Sequence, residues 1–246
     1  TLRPAGAATS TSLDGIQLGT TNNISAVVMR SGSGAISLNG IYATTDTSNR
    51  SGVAIFPGAD LLGSTISIRG DTRSSSGYAG GVESYKASGT VPTLIHATGS
   101  FAENTTALQI IATSRSVTSA FIGPSSGSGT TTLRASGEKA GVSISGSTTL
   151  GPEGIWLAYV TIETKNGPTV LNAGDNKIAL GGSGGGRPFA YRPVSGGVGG
   201  DISIQAAGQE TNPALTIDTA GTVSFVPSSS SFTSAVSFPT ASSTFN

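Results

Sequence analysis

The chain has no cysteine, and in 246 residues it has one methionine (Met29), one histidine (His96) and one tryptophan (Trp156). The lack of thiols excludes a disulfide scaffold and any thiolate-bound zinc or iron–sulfur centre. Charge is scarce too: 11% of residues, 13 positive against 13 negative. Globular domains carry roughly 25%, so this surface must be wetted by other groups. Zero net charge offers no basic patch to nucleic acid or to an anionic membrane. No apolar run approaches the ~20 residues of a membrane helix. Thr1-Leu2-Arg3-Pro4 is followed by no apolar stretch of the kind a signal peptide needs. Helical periodicity is nearly absent. Its best candidate, Ala107 to Ser114, has two adjacent isoleucines and reads equally well as a strand.

What the chain has instead is 36 Gly, 38 Ser and 32 Thr. Disordered chains combine low hydrophobicity with high net charge. Here the net charge is zero and the mean hydropathy is +0.08, so the composition fits a folded chain with a hydroxyl-rich surface. Apolar residues alternate with Ser or Thr at period two, the pattern of half-buried strands. Ala35–Leu38, Ser64–Ile68, Gly141–Ile144 and Asp201–Ile204 show it, and longer apolar strands are expected at Ile24–Met29, Trp156–Ile162 and Val223–Val226. Asn39-Gly40 and Asn166-Gly167 have the composition of hairpin turns. A unit of aliphatic, Ser, aliphatic and a following Gly recurs at Ile36–Gly40, Ile66–Gly70, Val142–Gly146 and from Ile202 to Gly208. Its spacing is irregular, whereas a solenoid shows a fixed period of ~20–50 residues. The reading is therefore a repeated style of strand and turn rather than a regular repeat.

Aromatics make up only 6% of the chain, and the large aliphatics are spread thinly along short strands. Three such chains wound around one axis would complete each other's core and cover their strand edges. The expected fold class is all-β: an elongated trimeric fibre of short strands, built as a β-prism, a β-helix or small sandwich modules. A self-contained sandwich, barrel or parallel β-helix stays open beside it. Four regions are expected: a β-rich shaft or head over 1–180, a Gly-rich loop or connector over 181–200, a strand–turn–strand module over 201–227, and an extended Ser/Thr-rich tail over 228–246.

The motifs that could carry chemistry are weak. Gly123-Pro124-Ser125-Ser126-Gly127 has the letters of a nucleophile elbow, but more Gly, Ser and Thr follow where a helix is needed, and His96 lies upstream. Gly196–Asp201 resembles one copy of a calcium-binding repeat that works only in tandem. Arg69-Gly70-Asp71 is an integrin-type tripeptide, read here as a turn leaving the strand at Thr65–Ile68. The carboxylates that glycan cleavage would pair stand singly, at Asp60, Asp71, Glu83, Glu103, Glu138, Glu153, Glu163, Asp175, Asp201 and Glu210. Trp156, among Ile155, Leu157 and Tyr159, reads as core. Tyr78, Tyr85 and above all Arg187, Phe189, Tyr191 and Arg192 are candidates for a surface or partner contact, because aromatic and Arg side chains anchor interfaces. No catalytic residue, cofactor or metal site is expected.

Near the C-terminus, Ala214-Leu215-Thr216-Ile217-Asp218-Thr219-Ala220-Gly221-Thr222-Val223 resembles the Ala-Leu-x-Ile-Asp-x-x-Gly-x-Val element of bacteriophage tail-fibre proteins. Leu215 and Ile217 would alternate inward, Asp218 and Gly221 make a turn, and Val223 and Phe225 return. The resemblance implies a virion structural protein assembled in the host cytoplasm, a homotrimer attached to other tail or capsid proteins. It also implies contact with a host-surface glycan or protein, and a trimerising chaperone domain cut away after Asn246. Two other classes compete with it: a bacterial surface adhesin, and a carbohydrate-active tailspike-type enzyme.

Overall fold

The computed structural model describes residues 14–19, 27–76, 79–84, 91–116, 118–123, 129–181, 187–211, 215–229, 231–232 and 244–245. Its strands fall into three sheets. The first stacks β1 (Ile16–Leu18), β4 (Val53–Ile55), β7 (Val82–Glu83), β10 (Thr118–Ile122), β13 (Glu153–Leu157), β16 (Lys177–Leu180) and β19 (Gly208–Thr211). The second stacks β2 (Val28–Arg30), β5 (Asp60–Gly63), β8 (Thr93–Ala97), β11 (Thr131–Ala135), β14 (Val160–Thr164), β17 (Phe189–Pro193), β20 (Leu215–Ile217) and β22 (Thr244–Phe245). The third stacks β3 (Ala35–Tyr42), β6 (Thr65–Thr72), β9 (Thr105–Ser114), β12 (Ala140–Thr148), β15 (Thr169–Asn172), β18 (Ile202–Ala206) and β21 (Val223–Pro227).

From β1 to β21, strands three places apart in the chain pair in parallel, and β22 adds beside β20. The chain therefore visits the sheets in turn, one strand each, and repeats the circuit seven times. This is a parallel β-helix. The structure is all-β, as expected, and its form is the self-contained parallel β-helix that the sequence left open beside the trimeric fibre: one chain completes its own core, which the sequence pattern assigned to three chains together.

The irregular sequence unit is the solenoid repeat after all. Ile36, Ile66, Leu108, Val142, Thr169, Ile202 and Val223 stand in one register row of the third sheet. Leu38, Ile68, Ile110, Ile144, Leu171, Ile204 and Phe225 form the next inward row. The period is hidden because the corners differ in length, while the strands stay in register. Between these inward rows, Ser37, Ser67, Ser143, Ser203 and Ser224 point outward, which is why the unit reads aliphatic–Ser–aliphatic.

The glycine of that unit has a different role from the expected turn. Gly40, Gly70 and Gly146 lie inside strands and share a register row. A Cβ on any of them would collide with a backbone carbonyl at the entry to a first-sheet strand: that of Gly52 just before β4, of Gly81 just before β7, or of Gly154 in β13. Here two sheets meet backbone to backbone, which only glycine permits. Asn39-Gly40 is thus mid-strand rather than a hairpin, and Arg69-Gly70-Asp71 continues β6 rather than leaving it. Asn166-Gly167 does turn, but it joins different sheets. Val223 and Phe225 likewise pass to the third sheet rather than pairing back on Leu215 and Ile217. The segment Trp156–Ile162 is not one strand. It breaks at Ala158-Tyr159, where Tyr159 takes a positive φ of 56°, and its halves occupy two sheets. Of Ile24–Met29, residues 24–26 lie outside the described residues. Ala107–Ser114 is strand.

One apolar core runs up the axis, fed by all three sheets. Hydroxyls close the corner from the third sheet to the first. Thr72 Oγ1 donates to the Arg50 carbonyl (2.8 Å), Ser114 Oγ to the Ala79 carbonyl (3.1 Å) and Thr148 Oγ1 to the Ser116 carbonyl. Much of the Ser and Thr content is thereby used to satisfy corner carbonyls that no sheet ladder reaches. The expected 181–200 connector contains β17, a strand inside the continuous stack.

Candidate functional site

In the second sheet, β8, β11, β14 and β17 each carry a motif of apolar, charged or imidazole, then small or proline residue: Ile95-His96-Ala97, Leu133-Arg134-Ala135, Ile162-Glu163-Thr164 and Tyr191-Arg192-Pro193. The first residue of each is buried in the core. Strand alternation then turns the middle residue outward. Register places His96 beside Arg134, Arg134 beside Glu163, and Glu163 beside Arg192. Four ionisable side chains thus form one ladder up the outside of the rod, one per coil.

Glu163 is the centre of that ladder. Although it points outward it is only 3% exposed, because the guanidiniums on either side cover it. Arg134 Nε donates to Glu163 Oε2, and Arg192 donates to Oε1 from Nε (2.9 Å) and Nη2 (2.8 Å). A carboxylate out of water is tolerable only when paired and hydrogen-bonded in this way. His96 Nε2 meets Ser136 Oγ at 2.7 Å. Burial, then the charge of Arg134, holds the imidazole pKa below its ordinary 6.5, against the opposing pull of Glu163 and Asp60. The neutral form of the ring is therefore favoured.

These side chains floor a groove of about 560 Å³, whose wall is Ser136, Lys165, Pro193, Val194 and Ser195 at the corner into the third sheet. That volume lies within the ~300–1,000 Å³ of small-molecule sites. Lys165 pairs with Glu138 on the exposed rim, where Asn166 Nδ2 also donates to Glu138 (2.7 Å). These bonds from Lys165 and Asn166 hold the Glu138 carboxyl below its usual range. Among the described residues no cluster of three His, Cys, Asp or Glu could hold a metal ion.

The residues expected to make a surface contact go to different places. Only Arg192 reaches the groove, with its side chain 60% exposed. Phe189 (2% exposed) and Tyr191 (1%) are inside the core, because β17 alternates and both odd positions face the axis. This corrects their expected place on the surface. The Tyr191 hydroxyl meets Thr164 Oγ1 at 2.6 Å and accepts from the Gly200 N–H at 3.0 Å, which fastens the Gly-rich corner to the core. Arg187 lies 5.3 Å from the centroid of the Trp156 ring. Trp156 is buried, as expected, but in a small second cluster with Phe121, Ala158 and Ala179 rather than in the axial core. Tyr78 and Tyr85 lie outside the described residues, as do Pro124–Gly127 of the elbow-like motif.

Sequence reasoning missed His96, Arg134, Ser136, Glu163 and Lys165 as a group. Their signal was the recurring triplet, legible only once the coils are aligned. Comparison of the chain with family profiles, with curated proteins and with solved structures returned no match.

Proposed function

We propose that the chain is a non-enzymatic structural component of a bacteriophage fibre, trimeric in its working form, that helps attach the particle to a host surface. The observation that carries this reading is the seven-coil solenoid itself. At about 4.8 Å per coil it makes a rod about 30 Å long, held together along its length by sheet hydrogen bonds. Two further features support it. The third sheet presents a broad, nearly uncharged outer face of Ser, Asn, Gln and Thr with exposed Ile41, Val170 and Val226, which suits packing against other copies. The element at Ala214–Val223 supplies the resemblance to tail fibres. Glycan cleavage would need two carboxylates flanking one bond. In the groove both oxygens of Glu163 are occupied by guanidiniums, which suits binding better than turnover.

The test is the mass of the native particle by light scattering, and its migration in SDS with and without heating. A species of three chains that resists unheated SDS is expected. A clean monomer under all conditions would overturn the trimeric fibre.

A further inference from the structure

From the ladder on the second sheet we infer that the groove binds an acidic saccharide, a linear glycan bearing carboxylates, laid along the rod axis. The inference deepens the attachment reading and takes its biological setting from it, but it is measured on the isolated chain and can fail separately.

Two observations point to an anion. Arg134 spends only its Nε on Glu163, so its two terminal amino groups keep their donors for a ligand. Arg192 is mostly exposed beyond its pair with Glu163. Bidentate recognition of a carboxylate is what a guanidinium fork is shaped for. Lys165 is paired with Glu138 on the rim, so the surplus positive charge of the groove lies on the two guanidiniums that share the single carboxylate of Glu163, in a chain that is otherwise sparse in charge and neutral overall.

Two more observations point to a saccharide polymer. The ladder rises one coil at a time, so successive side chains meet successive points along a strand-like ligand parallel to the axis. The groove is open and edged with the hydroxyls of Ser136 and Ser195, and among the described residues no aromatic side chain lines it on which a nucleobase could stack.

The experiment is calorimetric titration of the full chain with an oligogalacturonate, its neutral methyl ester, free acetate and a single-stranded oligodeoxynucleotide of matched charge. The oligogalacturonate should bind, weaken steeply with added salt, and lose affinity by about tenfold in Arg134→Gln, roughly what one charge-assisted contact supplies. Glu163→Gln should bind more tightly than the wild type, because it removes the resident anion that competes for both guanidiniums. Opposite signs from two neighbouring substitutions separate binding from damage to the fold, which would lower both. Equal binding of the methyl ester, binding of acetate as tight as that of the oligosaccharide, preference for the oligodeoxynucleotide, or weakened binding in Glu163→Gln would each overturn the inference.

Discussion

At the residue scale, the solenoid turns ordinary side chains into members of vertical rows, and a row shows which member is out of place. Thr169 stands between Val142 and Ile202 in an otherwise aliphatic inward row. It is 1% exposed, and its hydroxyl has no hydrogen-bond partner. Valine has the same shape without the unpaired oxygen. Thr169→Val should therefore stabilise the protein by about 1–2 kcal/mol, read as a shift of the urea midpoint with the slope unchanged. A shift to lower urea would mean the hydroxyl has a partner in solution. His96 makes the opposite kind of statement. Arg134, Glu163, Asp60 and Ser136 face it, and its folded pKa lies below the unfolded 6.5. The unfolded chain therefore binds the proton more readily. The stability this contributes is present above pH 6.5 and lost as pH falls from there through the folded pKa. In His96→Gln the acid-side decline should be shallower over that window, as seen by comparing unfolding curves at a series of pH values. Parallel curves for the two proteins would refute it.

At the scale of the element, strands and corners obey different rules. A strand is fixed by alternation: in β12, Val142 and Ile144 face the core while Ser143 and Ser145 face out. One residue inserted between Ser143 and Ile144 would turn the later aliphatic side chain outward and send a serine inward. A loss of several kcal/mol, in the manner of buried unpaired polar groups and emptied core sites, is the expected result. The corner after β12 has no such constraint, since Leu150 there is 59% exposed. Insertion of Gly-Ser beside Leu150 should change stability by less than about 1 kcal/mol. Thermal melts of the two insertions check the contrast, and equal destabilisation would refute it. The same asymmetry explains why the repeat was hard to see. Ile36 and Ile66 are thirty residues apart in sequence, Ile66 and Leu108 forty-two, yet both pairs are register neighbours. The corners absorb the difference.

At the scale of the whole molecule, each coil touches chiefly its neighbours, so stability should be graded along the rod. Central strands such as β9 and β12 are flanked on both sides, whereas β3 and β21 end their sheet. Amide exchange should be slowest in β9 and β12 and fastest in the end strands, and uniform protection from end to end would contradict this. The sequence by itself settled the class. Period-two alternation of aliphatics with Ser and Thr, and the near absence of helical periodicity, determined an all-β chain, because side-chain period is a local property of the backbone. It also determined that Leu215 and Ile217 face inward and that Trp156 is buried. It did not determine which strand pairs with which. Parallel pairing between successive coils depends on long-range register, and corners of unequal length erase that period from the sequence. For the same reason Gly40 and Asn39 looked like a turn when they are mid-strand, since the carbonyl of Gly52 that forbids a side chain at Gly40 comes from the end of the following corner, just before β4. Phe189 and Tyr191 looked like surface anchors because their neighbours are Gly, Arg and Pro, but alternation in β17 turned both rings to the axis. Finally, His96, Arg134, Glu163 and Arg192 are separated by dozens of residues. Only the stacking of coils brings them into one groove, and so the candidate site was decided by the tertiary structure alone.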